Sequence, residues 1–517
     1  MRLLVLVLLV LGGCATASTS PQGMTPGTAR EQWVPPALPP ATPIQSSEYA
    51  ARRQALLDAI DDGVLVVFGS PPPAFDYLPF AQAPDFRYLT GIVEPGGSYI
   101  AVKQGGRVEE RLFVLPRDPA REQWEGARLG PDGARARTGI PAATNDRFTP
   151  VLDSLLRVHG TLYSTTAPPV VRGLDANLSH AQQILARLRE VHPQLEVRSV
   201  QGAIRQLRGV KSDAELDRIR RAVYISSLAH REAMRSVQPG MNEFELRALV
   251  EYFFRRYGAE GPAYGSIVGS GPNSTTLHYQ ASDRFMEAGD VLLIDAAASY
   301  GGYAADVTRT FPVNGRFAAE QRAVYEVVLA AQKAAESQIR EGATWSQLNE
   351  AASDQLREGL ARLGLIDGPD ATYDCRGAAG GGACPQFRLW YMHGLGHGVG
   401  LAVHDPDISE TPGGFRPGSA VTIEPGIYIR PDVLEHLPDT PANRAFIERI
   451  RPAVERYRNI GVRIEDVFIF DRTGIERVSA GVPREIDEIE ALMSESGLGG
   501  IDRRGGIVDW FRRNQGR

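Results

Sequence analysis

Apolar and polar positions along this chain follow two regimes. Between residues 46 and 205, the short apolar runs "GVLVVFGS" and "RLFVLP" alternate with stretches of helical period. A brief apolar run bounded by Gly or Pro fits a buried strand, whereas "AQQILARLREV" spaces its apolar residues three and four apart, as a helix does. "QLEVRSV" reads as the strand that follows. An α/β domain is predicted here, and it holds no cluster of catalytic residue types.

From residue 206 the pattern changes and then repeats. "SDAELDRIRRAVYISSLAHREAMRSVQPG" opens with Ser212 and Glu215 in capping-box spacing and stops at Pro239-Gly240. "NEFELRALVEYFFRRYG" repeats the device with Asn242, Glu245 and a closing Gly258. "DVLLIDAAASYGGYAADVTRTF" predicts two strands about a Gly301-Gly302 turn. Two helices recur in "AAEQRAVYEVVLAAQKAAESQIREG" and "TWSQLNEAASDQLREGLARLG", and strands return in "SAVTIEPGIYI" and "GVRIEDVFIF". Helix, helix, strand, strand thus occurs twice. "GDVLLID" (289–295) and "GSAVTIE" (418–424) each place an acid six residues after a glycine, and the next strand carries Asp306 or Glu465. An internal duplication would gather Asp295, Asp306, Glu424 and Glu465 about a pseudo-twofold axis.

Those acids stand among Val, Leu, Ile and Phe, where an unpaired carboxylate is costly and tends to take a proton. Salt bridges to Arg309 and Arg463 could neutralise one of them. Four at duplicated positions point instead to a pair of divalent cations. The chain has nine histidines, and three of them, His393, His397 and His404, fall in "YMHGLGHGVGLAVHDPD". His397 would supply a neutral nitrogen ligand, and the surrounding glycines let the backbone come close. Four carboxylates and one imidazole suit Mn, the first candidate, or Co, Fe or Zn. Two such ions can acidify a shared water. His393 and His404 are then left for proton transfer or oxyanion stabilisation. His278, on the Gly/Asn/Ser loop "SGPNSTTLHYQ", is a third candidate. His159, His180, His192, His230 and His436 read as packed or surface residues.

The ordered set Asp295, Asp306, His397, Glu424, Glu465 resembles the dinuclear site of the pita-bread metallopeptidases. "HGLGHGVGLAVHD", "EPGIY" and "GVRIED" are similar to the proline-specific branch, and "DFRYLTGIVEPGGSYIAV" and "LFVLPRDPAREQWEGARLGPDGA" resemble the N-terminal domain of aminopeptidases P. The resemblance implies an α/β (α+β) chain. A creatinase/aminopeptidase P-like domain would occupy 46–205 and a pseudo-twofold catalytic domain 206–495. It further implies that Asp295 chelates one metal, that Asp306 and Glu465 bridge both, and that His397 and Glu424 hold the other. Glu424 would also be the general base toward a water shared by the metals, and His404 a proton shuttle. His278 and His393 would line the substrate site, and Arg463 would brace the cluster. The expected activity is removal of the N-terminal residue from peptides with proline second. An Xaa-Pro dipeptidase and a non-catalytic peptide-binding protein on the same fold are the alternatives; the second is disfavoured because all five ligands are present. The segments before the histidine motif and between Glu424 and Glu465 look like insertions.

Charge and the chain ends refine the picture. A net charge of −6 with no long basic run leaves no nucleic-acid surface to expect. "MRLLVLVLLVLGGCATAS" is too short to span a bilayer and reads as a signal peptide (1–14), its end resembling the lipobox of bacterial lipoproteins with Cys14 as the lipidated residue. An exported, membrane-anchored protein facing the periplasm is therefore expected. Residues 15–45 read as a Pro/Ser/Thr-rich tether and 496–517 as a Gly/Arg-rich tail. In an oxidising compartment Cys375 and Cys384 would staple a small loop, with two free thiols as the alternative. Homo-oligomerisation is compatible with the sequence but not specified by it.

Overall fold

The computed structural model describes residues 41–169, 177–376, 382–407 and 413–498. The expected signal peptide, Cys14, nearly all of the tether and the tail beyond 498 lie outside these residues. Among the described residues, no helix is long and apolar enough to cross a membrane.

The N-terminal lobe is built on one sheet. Its strands are β1 (Gly63–Phe68), β2 (Ser98–Gln104), β3 (Arg107–Val114), β4 (Ala142–Thr144), β5 (Thr161–Ser164) and β6 (Glu196–Ser199), in the order β4-β3-β2-β1-β5-β6. β1 is apolar throughout because both of its faces are covered. Leu65 and Val67 pack with Phe86, Leu89 and Ile204 on one side, while Val64, Val66 and Phe68 meet Leu152 and Leu185 on the other. "RLFVLP" proves to be the buried end of a longer strand, whose first half is solvent-facing.

The second lobe confirms the repeat. Helices Asp213–Ser236 and Glu243–Arg256 both begin with the predicted capping boxes, and Ala319–Glu336 and Trp345–Arg362 form the matching pair. The hairpins after each pair differ from expectation in one respect. Instead of two strands, "DVLLIDAAASYGGYAADVTRTF" forms four short ones. Val291–Asp295 pairs with Thr308–Pro312, and beyond a bend Ala298–Tyr300 pairs with Tyr303–Ala304. The second copy has the same bend: Ser419–Ile423 pairs with Asp466–Asp471, and Gly426–Ile429 with Ile460–Arg463. All four acids sit at or beside these bends, where backbone leaves the ladder. The copies differ at the tip. The first hairpin turns through Gly301-Gly302. The second carries residues 430–459, which include a helix, Pro441–Tyr457, that the sequence reading left unassigned. Its start was readable, since Thr440 caps it and Pro441 occupies the first turn.

Cys375 and Cys384 are joined, closing the small hairpin Thr372–Asp374/Ala383–Pro385. Asn443 of the tip helix clasps this hairpin, donating to Asp374 O at 2.8 Å and accepting from Asp374 N at 2.9 Å. The two segments expected as insertions therefore pack against each other.

Buried ion pairs link the lobes. Arg52 of helix Ser46–Asp58 lies 3.0 Å from Glu215, which accepts from Tyr303 Oη at 2.9 Å near the first hairpin tip. The helix Gln201–Gly209 straddles the boundary expected near residue 205. Its Ile204 is in the N-terminal core, and its Arg208 contacts Asp85 and Asp405.

Beneath the second hairpin, Asp466 is fully buried and holds Arg309 (2.6 Å), Arg484 (3.0 Å), Ser479 (2.5 Å) and Gln332 (3.0 Å). Burial opposes its ionisation, but Arg309, Arg477 and Arg484 overcome that, and its pKa is held down at about 2. This carboxylate contributes stability that is present above the ordinary aspartate pKa and is lost as pH falls toward 2. Asp466→Asn should lower the unfolding free energy by about 3–5 kcal/mol at neutral pH. Urea unfolding of variant and wild type at pH 7 and pH 3 checks this: the gap should narrow at the lower pH, and an unchanged gap would contradict the assignment.

Candidate metal centre and active site

Asp295, Asp306, His397, Glu424 and Glu465 line a single cavity of about 350 Å³, together with His278, His393, His404 and Arg463. Every candidate metal ligand and catalytic residue singled out from the sequence, with Arg463, is thus brought to one place. Asp295 ends a strand and Asp306 lies in the bend before its partner strand. Glu424 and Glu465 take the corresponding places in the second hairpin. The hairpins are stitched to each other: Glu465 N donates to Thr308 O at 3.0 Å, and Arg463 N to Thr310 Oγ1 at 3.1 Å. His397 is held beside Glu424 by the same strand, since Thr422 N donates to His397 O at 2.9 Å. Gly396 has to be glycine for this fit, because a Cβ there would meet Thr422 O at 2.2 Å.

The charges do not balance with protein groups alone. Asp306 and Glu465 are buried, and ligand atoms of Asp306, His397 and Glu465 all lie within 4.8 Å of one another. Burial, then Glu465, Asp295 and Glu424, push the Asp306 pKa well above the carboxylate range. Burial, then Glu424 and Asp295, do the same to Glu465. Arg463 relieves Asp295 at 2.5 Å, so the salt-bridge alternative holds for that acid. Arg309 is spent on Asp466 and neutralises none of the four. Burial also opposes ionisation of Glu424, yet hydrogen bonding and charge from His397, with His393 and Arg463, hold its carboxyl below the usual range.

Three observations fit the residues to cations. Glu465 Oε1 is buried without any hydrogen-bond partner among the described residues. Tyr264 Oη stands 2.5 Å from both Asp295 Oδ1 and Asp306 Oδ1, although one hydroxyl proton satisfies only one of them. His397 Nδ1 donates to Gly398 O at 2.9 Å, which fixes the tautomer and aims Nε2 at Glu424 (3.3 Å) and Asp306 (3.5 Å). Burial opposes a proton there, but Glu424 and Glu465 outweigh it and raise the His397 pKa to about 9. One nitrogen and four carboxylates form a donor set for a hard to borderline divalent ion.

The other histidines differ in freedom. His393 is committed at both nitrogens: Nδ1 donates to Gly394 O (2.7 Å), and Nε2 accepts from Tyr428 Oη (2.8 Å), which itself accepts from Arg463 (2.9 Å). It is a braced wall of the site more than a free donor. His404 and His278 are exposed and make no ring hydrogen bond among the described residues. The His404 ring lies 4.0 Å from that of His397, and burial and this neighbour lower its pKa. His230, read as packed, is fully buried, donates to Ala296 O at 2.8 Å, and is kept neutral by burial, with a pKa near 4.

Sequence reasoning missed Tyr264, Thr308 and the connecting role of Tyr428. Thr308 accepts from Arg463 Nε (3.2 Å) and donates to Glu465 Oε2 (2.7 Å). Thr308, two residues after Asp306, could have been suspected from spacing; nothing local marks Tyr264.

Because Asp306, Glu465 and His397 all have raised pKa values without cations, loading the site should expel their protons. Titrating Mn(II) into chelator-stripped protein, in buffers of different ionisation enthalpy, should give release of about two to three protons per chain at neutral pH. Heats independent of the buffer would contradict this.

Comparison with known proteins agrees with this geometry. Residues 217–471 match metallopeptidase family M24, and residues 49–163 match the aminopeptidase P N-terminal domain. The Xaa-Pro aminopeptidase of Escherichia coli is 33% identical over 469 residues, 87% of this chain and 98% of that protein. The human Xaa-Pro dipeptidase is 32% identical over 86% of this chain and 93% of its own length. Among solved structures, E. coli aminopeptidase P with the inhibitor Pro-Leu superposes with a TM-score of 0.72 at 31% identity, covering 87% of this chain and 99% of that one. A zinc-substituted form of the same enzyme in complex with product matches with the same score at 32% identity, with the same coverage of both chains. The α/β N-terminal domain and pita-bread second domain expected from the motifs are the architecture of these relatives, and the chain belongs to metallopeptidase family M24.

Proposed function

We infer that this protein is a metal-dependent exopeptidase that removes the N-terminal residue from peptides with proline in second position. One observation carries the reading: five ligand-type side chains from both halves of a duplicated fold meet in one cavity, with a buried carboxylate oxygen left unpartnered. The E. coli and Haemophilus influenzae relatives bearing the name Xaa-Pro aminopeptidase, 33% and 34% identical, support the substrate class.

Asp295, Asp306, His397, Glu424 and Glu465 would hold two divalent ions, with Mn our first choice and Co, Zn or Fe as alternatives. When bound, such ions supply positive charge that makes water a stronger acid and polarises a carbonyl. The chain's own groups do the rest. Glu424, ionised at neutral pH and half-buried, accepts the proton of the attacking water at a carboxylate oxygen. His404, exposed at the mouth and neutral at that pH, carries a proton between solvent and the leaving prolyl nitrogen. His278 lines the same cavity, and His393, braced by Tyr428 and Arg463, gives the pocket a fixed wall. The acid-rich floor attracts the α-ammonium group of a peptide, which favours cleavage after one residue.

A second reading is an Xaa-Pro dipeptidase, motivated by the human relative of that name. Assays of Xaa-Pro against Xaa-Pro-Yaa peptides separate the two; we expect chelator-sensitive cleavage of the tripeptide, and turnover of the dipeptide alone would favour the second. Glu424→Ala should lower kcat by about 10²–10⁴ while leaving the fold intact; a near-normal rate would remove Glu424 from its role.

We further propose that the protein is exported and anchored to a bacterial membrane through Cys14, facing the periplasm. The leader sequence and the Cys375–Cys384 bond support this. Cys14→Ala should move the protein from the membrane to the soluble fraction; an unchanged distribution counts against lipidation.

A further inference from the structure

One residue from His404 lies a buried ionic cluster that the chemistry above does not use. Asp405 is 6% exposed. One of its oxygens accepts from Arg208 Nη2, and the other lies 3.2 Å from Lys211 Nζ. Arg208 reaches back with its second nitrogen to Asp85 Oδ1, 2.7 Å away on the helix Pro84–Thr90 of the N-terminal lobe. Lys211 Nζ also donates to Pro406 O at 2.7 Å, and its backbone N–H to Gly418 O at 2.8 Å.

These contacts close a short loop. Asp405 N donates to Gly398 O at 2.9 Å, and Asp405 Oδ1 accepts from Ala402 N at 3.1 Å. Gly400 packs against the same carboxylate so closely that a Cβ would meet Asp405 Oδ2 at 2.5 Å. His397 immediately precedes this closure and His404 is the last residue within it, with their rings 4.0 Å apart. The His404 ring has no hydrogen bond of its own among the described residues. An exposed imidazole without one samples several rotamers and is placed only as well as its backbone is. Backbone on the C-terminal side of His404 is fixed by Asp405, and Asp405 by two cations rooted at the lobe junction. Two buried cations on one carboxylate are costly to desolvate, and an apolar cluster of similar volume would serve stability as well or better. A positional purpose accounts for keeping them.

We propose that Asp405, held by Arg208 and Lys211, is a positioning residue for His404, so that the N-terminal lobe sets the imidazole at the mouth of the site. The proposal rests on the peptidase reading for its kinetic consequence. The test uses the full chain loaded with Mn(II). Asp405→Asn should lower kcat for an Xaa-Pro-Yaa peptide about tenfold or more, with KM within about twofold and bound metal unchanged. In a His404→Ala background the same substitution should cause no further loss, because its effect passes through that ring. The ¹⁵N imidazole signal that disappears in His404→Ala should shift in Asp405→Asn, while that of His230 stays in place. A kcat within twofold of wild type in folded, metal-loaded Asp405→Asn overturns the proposal. So does an undiminished extra loss in the His404→Ala background, or an unmoved imidazole signal. If Asp405→Asn does not fold, Arg208→Lys, which can serve only one of the two aspartates, should give a smaller kcat loss with the same dependence on His404; no such loss overturns the proposal equally. Should the wild type cleave no Xaa-Pro peptide, the functional reading falls separately, and the imidazole spectrum alone decides the positional claim.

Discussion

Four carboxylates share one cavity, and that electrostatic conflict shapes everything around it. Two unit charges 4 Å apart interact by roughly 4 kcal/mol at the effective dielectric of a protein site, so four ionised acids cannot coexist here unrelieved. The chain itself relieves only part of the load. Arg463 takes Asp295, the imidazole of His397 faces Glu424 and Asp306, and Thr308 donates to Glu465. What remains, at Asp306 and Glu465, requires protons or cations. The same logic explains the layer beneath. Asp466, next in sequence to Glu465, is overcompensated by arginines, which pins the start of its strand and with it the acid that projects into the cavity.

The ligands were legible because duplication writes them twice. Asp295 and Glu424 each end an apolar strand six residues after a glycine, and a histidine-poor chain that places His393, His397 and His404 within a dozen residues marks its own site. The first helix pair was legible from its capping boxes, and the second from the recurrence of helical sequence after the first hairpin. Less legible was everything that depends on the meeting of distant segments. Tyr264 sits between two aspartates that follow it by 31 and 42 residues, and no local pattern signals that. Pairing of Asp405 with Arg208 crosses 197 residues. The bends in the hairpins were missed for a different reason. "DAAAS" and "AADVT" keep their apolar character through the break, so periodicity alone cannot tell a continuous strand from one that leaves its ladder. The tip helix Pro441–Tyr457 had a readable start but lay inside a stretch read as an insertion.

The N-terminal lobe meets the second at points that bear on the site. Its Arg52 reaches Glu215 and, through it, Tyr303, three residues before Asp306. Its Asp85 reaches Arg208, and so the loop that carries His404. The first contact is buried and the second partly so, and neither lies in the cavity. The lobe that matches the aminopeptidase P N-terminal domain is thus fastened near Asp306 and to the loop that carries His404.

Bent hairpins separate the acids from the hairpin tips, and the two tips are not equivalent. At the first, the chain turns through Gly301-Gly302 alone, with the Arg87 guanidinium of the N-terminal lobe packed against Gly302. The second already accommodates residues 430–459, including a whole helix, without disturbing the pairing of Gly426 with Arg463 at its base. One end of the symmetric pair thus carries a whole helix above an intact ladder while the other closes in a two-residue turn, which makes the second tip the natural place to graft an epitope or reporter into this scaffold.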